Sequence, residues 1–116
     1  MKEDLDRFLP LSPAALHILL SLAGEERHGY AIMQEVARQS EGRYKLGPGT
    51  LYDNLQKLMK ERLVEEVENT AAGAESRRRY YRLTKNGKRV LSVEMARLEA
   101  AIREAKLRLG FQRSRA

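Results

Sequence analysis

Apolar residues recur at helical spacing in four stretches of the chain, and polar or glycine-bearing segments separate them. The first stretch, at 13–23, is apolar nearly all round, which is typical of a central core helix. Ser12 and Pro13 supply a capping hydroxyl and a proline suited to the first helical turn, and Gly24 marks the end. Within this helix His17 is expected to be a hydrogen-bonded core or interface histidine.

Two amphipathic helices are predicted next. The pattern at 30–39 places apolar side chains on one face of a helix that follows a turn, "GEERHGY", and ends at Gly42. The third helix starts at the Gly-Pro-Gly of 47–49, and its inward side is expected to consist of Leu51, Leu55, Leu58 and Met59. The segment 43–46 is too short to assign and is compatible with one bridge of strand.

Alternation replaces the helical period after residue 62. The segments "LVEEVE" and "RRRYYRLT" predict two strands joined by a small-residue loop at 69–76, which together form a hairpin. Because successive strand residues face opposite sides, either Tyr80 or Tyr81 should point into the core. Thr84 can cap a final helix at 85–109.

This order of elements predicts a fold that is mainly α with a small β-hairpin, in the winged helix-turn-helix arrangement. The winged helix-turn-helix domain is expected at 1–84, with an N-terminal extension at 1–11. A long dimerisation helix and a tail are expected at 85–116. The apolar run at 14–23 is far too short to span a membrane and no signal peptide opens the chain, so the cytoplasm is the expected location.

The last helix carries an apolar stripe whose members are spaced alternately four and three residues apart, as in a coiled-coil seam. The stripe consists of Leu91, Met95, Leu98, Ile102, Ala105 and Leu109. The hairpin before this helix already closes the domain, so we expect the stripe to pair with a second copy of the chain in a homodimer. The alternative is that the stripe packs back on its own domain.

Charge and composition narrow the function. The net charge of +6 favours an acidic partner such as DNA, although many basic proteins bind nothing acidic. With no cysteine and two histidines, neither a disulfide nor a structural zinc site is expected, and no cofactor is implied. The sequence offers no paired carboxylates, no nucleophile with an adjacent base and no phosphate-binding glycine loop, so we do not expect an enzyme.

The third predicted helix turns polar side chains away from its leucines. A helical projection places Thr50, Asp53, Gln56, Lys57 and Lys60 outward, with Tyr52 and Asn54 on the flanks. Such groups reach phosphates and base edges in DNA, and the alternative is an ordinary solvated face. Asp53 would repel phosphate, so it faces either a cytosine amine or a nearby lysine or amide.

Other candidate contacts flank this helix. Tyr30 either touches a DNA phosphate or packs in the core, whereas His28 is expected to close a turn. At the wing, at least one of three consecutive arginines is expected to meet DNA, the alternative being a charged edge strand. The candidate DNA-binding residues are Tyr30, Gly49, Thr50, Tyr52, Asn54, Lys57, Arg77, Arg78 and Arg79.

In their order and spacing, "HGYAIMQEV", "GPGTLYDNLQKLMKERLVE" and "RRRYYRLTKNGKRVL" resemble the PadR family of bacterial transcriptional regulators, over roughly residues 11–91. The resemblance implies a dimeric winged-helix repressor that dimerises through its C-terminal helix. One departure is Arg62, where the family pattern has glycine. Arginine in a left-handed conformation would cost about 1 kcal/mol, unless the third helix ends differently.

The sequence leaves three functions open. The first is a homodimeric, DNA-binding transcriptional regulator that represses from a palindromic operator. The second is a sensor that binds a small-molecule effector at the dimer interface, as some relatives bind planar compounds; the chain has no tryptophan, and its final helix has no aromatic residue before Phe111. The third is a winged helix that binds another protein and not DNA.

Overall fold

The computed structural model describes residues 4–68 and 79–110. In chain order the elements are a 3-10 turn at Leu5–Phe8, α1 (Pro13–Ser21), β1 (Arg27–His28), α2 (Gly29–Gln39), α3 (Pro48–Lys60), β2 (Val64–Val67), β3 (Tyr80–Leu83) and α4 (Lys85–Leu109). The three strands form one antiparallel sheet in the order β1-β3-β2. The predicted fold, mainly helical with a small sheet in a winged-helix arrangement, is confirmed.

The core forms where α1, α2 and α3 meet one face of the sheet. Ile18 of α1, Ile32 of α2 and Leu51 of α3 are each fully buried there. The sheet contributes Tyr81, which is the inward member of the tyrosine pair, as strand alternation requires. The leucines of α3 therefore hold that helix to the core, and the opposite side of α3 faces solvent.

The turn predicted at 24–30 is wrong in part, because this segment contains the third strand of the sheet, β1. Arg27 and His28 pair with Tyr81 and Tyr80 of β3, so α2 begins at Gly29 instead of at Tyr30. A strand of two polar residues carries no alternation, which is why the sequence pattern misses it. No strand forms at 43–46.

His28 and Arg27 fix the start of α2. The His28 ring accepts a hydrogen bond from the Ala31 amide at 3.2 Å through Nδ1, so this residue closes a turn as expected. Arg27 donates from Nε to the Ser21 carbonyl at 2.7 Å and lies 3.8 Å from the Glu35 carboxylate. These contacts tie the end of α1, β1 and α2 into one unit.

His17 is a second correction. The sequence predicts a hydrogen-bonded histidine, but the buried Nδ1 of His17 has no hydrogen-bond partner among the described residues. Its ring instead stacks on Tyr44, with the ring centroids 4.6 Å apart. The contact is an aromatic one, and the sequence gives no sign of it because Tyr44 lies in the connection between α2 and α3.

The end of α3 resolves the question raised by Arg62. Arg62 adopts a left-handed conformation, with φ at 63°. Its amide donates to the Met59 carbonyl at 3.0 Å and the Leu63 amide donates to the Leu58 carbonyl at 2.9 Å, the pattern of a Schellman motif. The helix thus ends as it would with glycine, with arginine in its place.

The first turn of α4 docks on this helix end. The Thr84 hydroxyl donates to the Arg62 carbonyl at 2.7 Å and also accepts from the Gly87 amide at 2.9 Å. A Cβ at Gly87 would collide with the Leu63 carbonyl, so only glycine permits this approach. The strands β2 and β3, which form the base of the wing, and the helix α4 are therefore all anchored to the end of α3.

The N-terminal extension is held by a buried carboxylate of α4. Glu94, which is 1% exposed, accepts a hydrogen bond from the Leu11 amide at 3.1 Å and pairs with Arg97 through both carboxylate oxygens. The hydrogen bonds from Arg97 hold the pKa of Glu94 below its usual value, despite burial, which acts in the opposite direction. This network fixes the direction in which the chain enters α1.

The apolar stripe on α4 divides into two parts. Leu91 is 8% exposed and belongs to the core of its own domain, which leaves it little surface for the predicted contact with a second chain. Further along, Ile102 is 54% and Leu109 is 68% exposed. Across 4–68 and 79–110, no helix has both the length and the apolar character to cross a membrane.

Candidate nucleic-acid interface

The solvent face of α3 is polar, and the backbone at the first turn of this helix is accessible. Gly47 caps the helix without a side-chain hydrogen bond, and a Cβ built at Gly49 meets nothing within 4 Å. The outward side chains predicted from the helical projection are all exposed: Thr50, Asp53, Gln56, Lys57 and Lys60. Another molecule can therefore approach both the backbone at the helix start and the side chains along it.

Charged groups on this face are available for contacts outside the chain. Within the described segments, Lys57 and Lys60 form no ion pair, and Asp53 forms neither an ion pair nor a hydrogen bond. Of the two partners proposed for Asp53, the nearby lysine or amide is thus not used in this structure. Asn54 is half-buried and donates from Nδ2 to the Thr50 carbonyl at 2.9 Å, which leaves its oxygen to accept.

Tyr52 connects α3 to the start of α2. Its hydroxyl lies against Gly29, where the position of a Cβ would overlap the phenol oxygen. A larger residue at position 29 would therefore displace the Tyr52 ring, which lies 23 positions later, and the sequence does not reveal this link. Tyr52 is still 47% exposed and Tyr30 is 60% exposed, so the core position considered for Tyr30 is wrong.

The base of the wing is organised around Tyr81 and Arg79. Arg79 is exposed and its Nε lies 3.6 Å from the Glu66 carboxylate of β2, which is the cross-strand partner of Tyr81. Burial raises the pKa of the Tyr81 phenol, and the Glu66 carboxylate and the Tyr52 phenol raise it further. Arg79 therefore remains at the surface but is oriented by Glu66, a residue that no sequence pattern singles out. Arg77 and Arg78 lie outside the described residues.

The sheet has further ion pairs away from this side. Arg82 of β3 donates from Nε to the Glu65 carboxylate at 2.7 Å and lies 3.7 Å from Glu26. Its side chain is committed to joining β2, β3 and the segment before β1. Arg82 is therefore less available to an external partner than the polar groups of α3.

The chain resembles known regulators in sequence and structure. The model of the transcriptional regulator PadR-like family matches residues 18–93. The transcriptional regulator Rv3488 of Mycobacterium tuberculosis is 36% identical over 89 residues, which cover 77% of this chain and 78% of that protein. Among solved structures, a PadR family transcription regulator from Clostridium difficile R20291 is 24% identical with a TM-score of 0.66, covering 84% of this chain and 98% of the other.

A second solved structure bears on the arrangement just described. Bacillus subtilis PadR, solved in complex with operator DNA, has a TM-score of 0.60 and 23% identity, over 74% of this chain and 48% of that one. At this identity the likeness concerns the fold. The family match, by contrast, covers most of the chain and includes α2, α3, the strands and the start of α4. The chain therefore belongs to the PadR-like family of transcriptional regulators, whose members are not enzymes.

Proposed function

We propose that this regulator is a homodimeric repressor that binds a palindromic operator by placing α3 in the DNA major groove. The observation that carries the proposal is the solvent face of α3, where two lysines without an ion-pair partner among the described residues lie beside exposed amide and hydroxyl groups. These are the groups that read base edges and bind phosphates. The operator complex of Bacillus subtilis PadR supports this use of the fold. A repressor of this kind would act in the cytoplasm.

We assign base recognition to the outward polar residues of α3. Gln56 can donate to and accept from an adenine edge, whereas Asp53 can only accept, which suits the N4 amine of cytosine. Asp53 also repels phosphate, so it weakens binding wherever no cytosine is in place. We assign it the role of lowering non-specific affinity relative to operator affinity.

Backbone contacts flank the readout. The exposed phenols of Tyr30 and Tyr52, together with the first amides of α2, are suited to a phosphate on one side of the major groove. The open backbone at Gly49 allows close approach of the duplex. We place Arg79, oriented by Glu66, at the adjacent wing contact, and we extend the same role to Arg77 and Arg78.

Dimerisation follows from the outer part of α4. From residue 99 to 110 every residue is exposed, including the apolar Ile102 and Leu109 of the predicted seam. A helix of this length with a free apolar stripe is stabilised by pairing with a second copy. The remaining proposed interface residues are Met95, Leu98 and Ala105. Two α3 helices related by a two-fold axis would then enter successive major grooves, about 34 Å apart, and read a palindrome.

Selection of bound sequences from random duplex DNA tests the proposal and supplies the operator. We expect a palindromic consensus with half-sites centred about one helical turn apart. Lys57→Ala should weaken binding and lower the magnitude of the salt slope by about 0.9 for each phosphate that the variant no longer neutralises. Lys106→Ala, an exposed lysine of α4, is the matched control and should leave both unchanged.

Two results would contradict the proposal, one for DNA binding and one for the dimer. A protein that binds no duplex from the random pool, while remaining folded by circular dichroism, is not a DNA-binding repressor. Sedimentation at micromolar concentration tests the dimer separately. If the protein is monomeric and selects a consensus without two-fold symmetry, it binds DNA but does not read a palindrome.

A further inference from the structure

A groove separates the N-terminal extension from α3. It has a volume of about 230 Å³ and is open to solvent. Its walls include Arg7, Phe8 and Pro10 from the extension and Asn54, Lys57 and Glu61 from α3. The groove therefore adjoins the solvent face of α3 on the flank that carries Asn54, opposite the flank on which Tyr52 contacts the start of α2.

The extension is held in place at this position. The Leu11 amide is bound by the buried Glu94 carboxylate, and Leu5, Phe8 and Leu9 pack against the core. The Arg7 guanidinium lies over the Phe8 ring, 4.5 Å from its centroid. A cation stacked on an anchored aromatic ring loses less conformational freedom when it binds a ligand than an unsupported arginine does.

The charges of the groove are not neutralised internally. Neither Arg7 nor Lys57 forms an ion pair with a carboxylate in the described segments. The groove also contains Glu61, which has no ion-pair partner there either. Because the groove has two cations and one carboxylate, it favours an anion that contacts Arg7 and Lys57 and lies away from Glu61. A phosphate fixed on a rigid polymer meets this requirement better than a free ion does.

We propose that Arg7 and Lys57 together bind one phosphate of the DNA backbone in this groove, at the edge of the major groove that α3 enters. The inference rests on the proposed function, and it extends the DNA interface to a segment that precedes the winged helix. Lys57 belongs to both the groove and the solvent face of α3, so the two surfaces are continuous. Arginine can present two parallel N–H donors to a phosphate, and lysine adds a point charge beside it.

The first experiment measures binding of the full-length chain to the selected operator duplex and to a scrambled duplex of equal length. Arg7→Ala should weaken both complexes about fivefold for each half-site, because a phosphate contact carries no sequence information. It should also lower the magnitude of the salt slope, by at most about 1.8 for a dimer, because Lys57 still contacts the phosphate of each half-site. Arg7 is exposed and only its contact with the Phe8 ring is lost, so the variant should remain folded at the temperature of the binding assay.

Two further variants give the experiment matched controls. Arg103→Ala makes the same change of net charge on the exposed outer part of α4, outside the predicted seam, and should leave affinity and salt slope unchanged. Glu61→Gln removes the carboxylate from the groove without changing its size, so it should tighten binding about twofold. Opposite effects of Arg7→Ala and Glu61→Gln indicate a local charge effect in the groove.

Methylphosphonate substitution locates the contact. Replacing one backbone phosphate of the operator at a time should identify a position at the major-groove edge whose neutralisation weakens the wild-type complex at least as much as Arg7→Ala does. At that position the substitution should have a smaller effect on the Arg7→Ala variant than on the wild type, because only the Lys57 contact is left to lose. Additive effects at every position tested would overturn the assignment of a phosphate to this groove.

The outcomes separate the two proposals. If the wild-type chain selects an operator but Arg7→Ala equals Arg103→Ala in affinity and salt slope, DNA binding stands and the groove has no role in it. If the wild-type chain selects no duplex, the proposed function fails and the groove proposal fails with it.

Discussion

Arg62→Gly should stabilise the protein, since the structure holds an arginine in a backbone conformation that suits glycine. Arg62 has φ at 63°, and the Schellman hydrogen bonds at the end of α3 require that conformation. The Thr84 hydroxyl and amide bind the carbonyls of Arg62 and Leu63, so α4 could not keep its position if the turn relaxed. The strain is therefore maintained by the rest of the fold.

Two effects of opposite sign determine the size of the change. A left-handed conformation costs a residue with a Cβ about 1–2 kcal/mol, which glycine does not incur. Glycine makes the unfolded chain more flexible, which lowers stability by about 0.4–1 kcal/mol. The Arg62 side chain is exposed and forms no ion pair in the described segments, so its removal has little effect. The net stabilisation is about 0.5–1 kcal/mol, or about 2–6 °C in melting temperature.

Urea unfolding followed by circular dichroism measures the effect, at a fixed protein concentration because a dimer's stability depends on it. Arg62→Ala is the matched control, since it removes the same guanidinium but keeps the Cβ, and its stability should stay within about 0.5 kcal/mol of the wild type. The reasoning is refuted if Arg62→Gly unfolds at the same urea concentration as Arg62→Ala or at a lower one, with equal m-values.

Three other changes test different contacts. Gly87→Ala should destabilise by about 1–3 kcal/mol, since its Cβ would collide with a backbone carbonyl, whereas Gly49→Ala, with open space around it, should not destabilise; urea midpoints that rank the other way would contradict this. Because Arg97 lowers the pKa of Glu94, the carboxylate stabilises the fold above its unfolded pKa of about 4.3, and this contribution is lost as the pH falls through the lower folded value. Glu94→Gln should thus be less stable at pH 7 and lose less stability on acidification, and a parallel pH profile would count against the network. Asp53→Asn should bind scrambled duplex more tightly and discriminate less at one cytosine of the operator, and an unchanged ratio of the two affinities would exclude the role assigned to it.

The helices were predictable from the sequence because α2, α3 and α4 carry a helical period and because a capping serine and a proline precede the apolar run of α1. Ser12, Gly47 and Thr84 cap α1, α3 and α4, as their position before an apolar periodic segment indicates. The helical projection of α3 identified its buried leucines and its exposed polar face for the same reason. The periodicity within one element indicates which of its faces is buried, so this face can be predicted from a single sequence.

Contacts between distant segments could not be predicted. The β1 strand depends on Arg27 and His28 pairing with β3, more than 50 residues later, and neither residue is apolar. The contact between Gly29 and Tyr52 is likewise tertiary, as is the groove beside Arg7. Leu91 fits the seam by spacing alone, but only the packing of α4 on the domain shows that it is already covered.

Ion pairing among the residues that the structure describes involves arginine and not lysine, and the difference bears on the proposed mode of DNA binding. In the described segments every ion pair between side chains uses an arginine, as in the pairs of Arg27, Arg82 and Arg97. Lysines such as Lys57 stay unpaired there, and a hydrated point charge that binds phosphate adds affinity for any duplex. In the proposed mode of binding, we expect sequence preference to arise mainly from the uncharged side chains of α3 and from Asp53. Consequently, substitution of Lys57 or Lys60 on α3 should weaken operator and scrambled duplex by the same factor, whereas Asp53 variants should change the ratio between them.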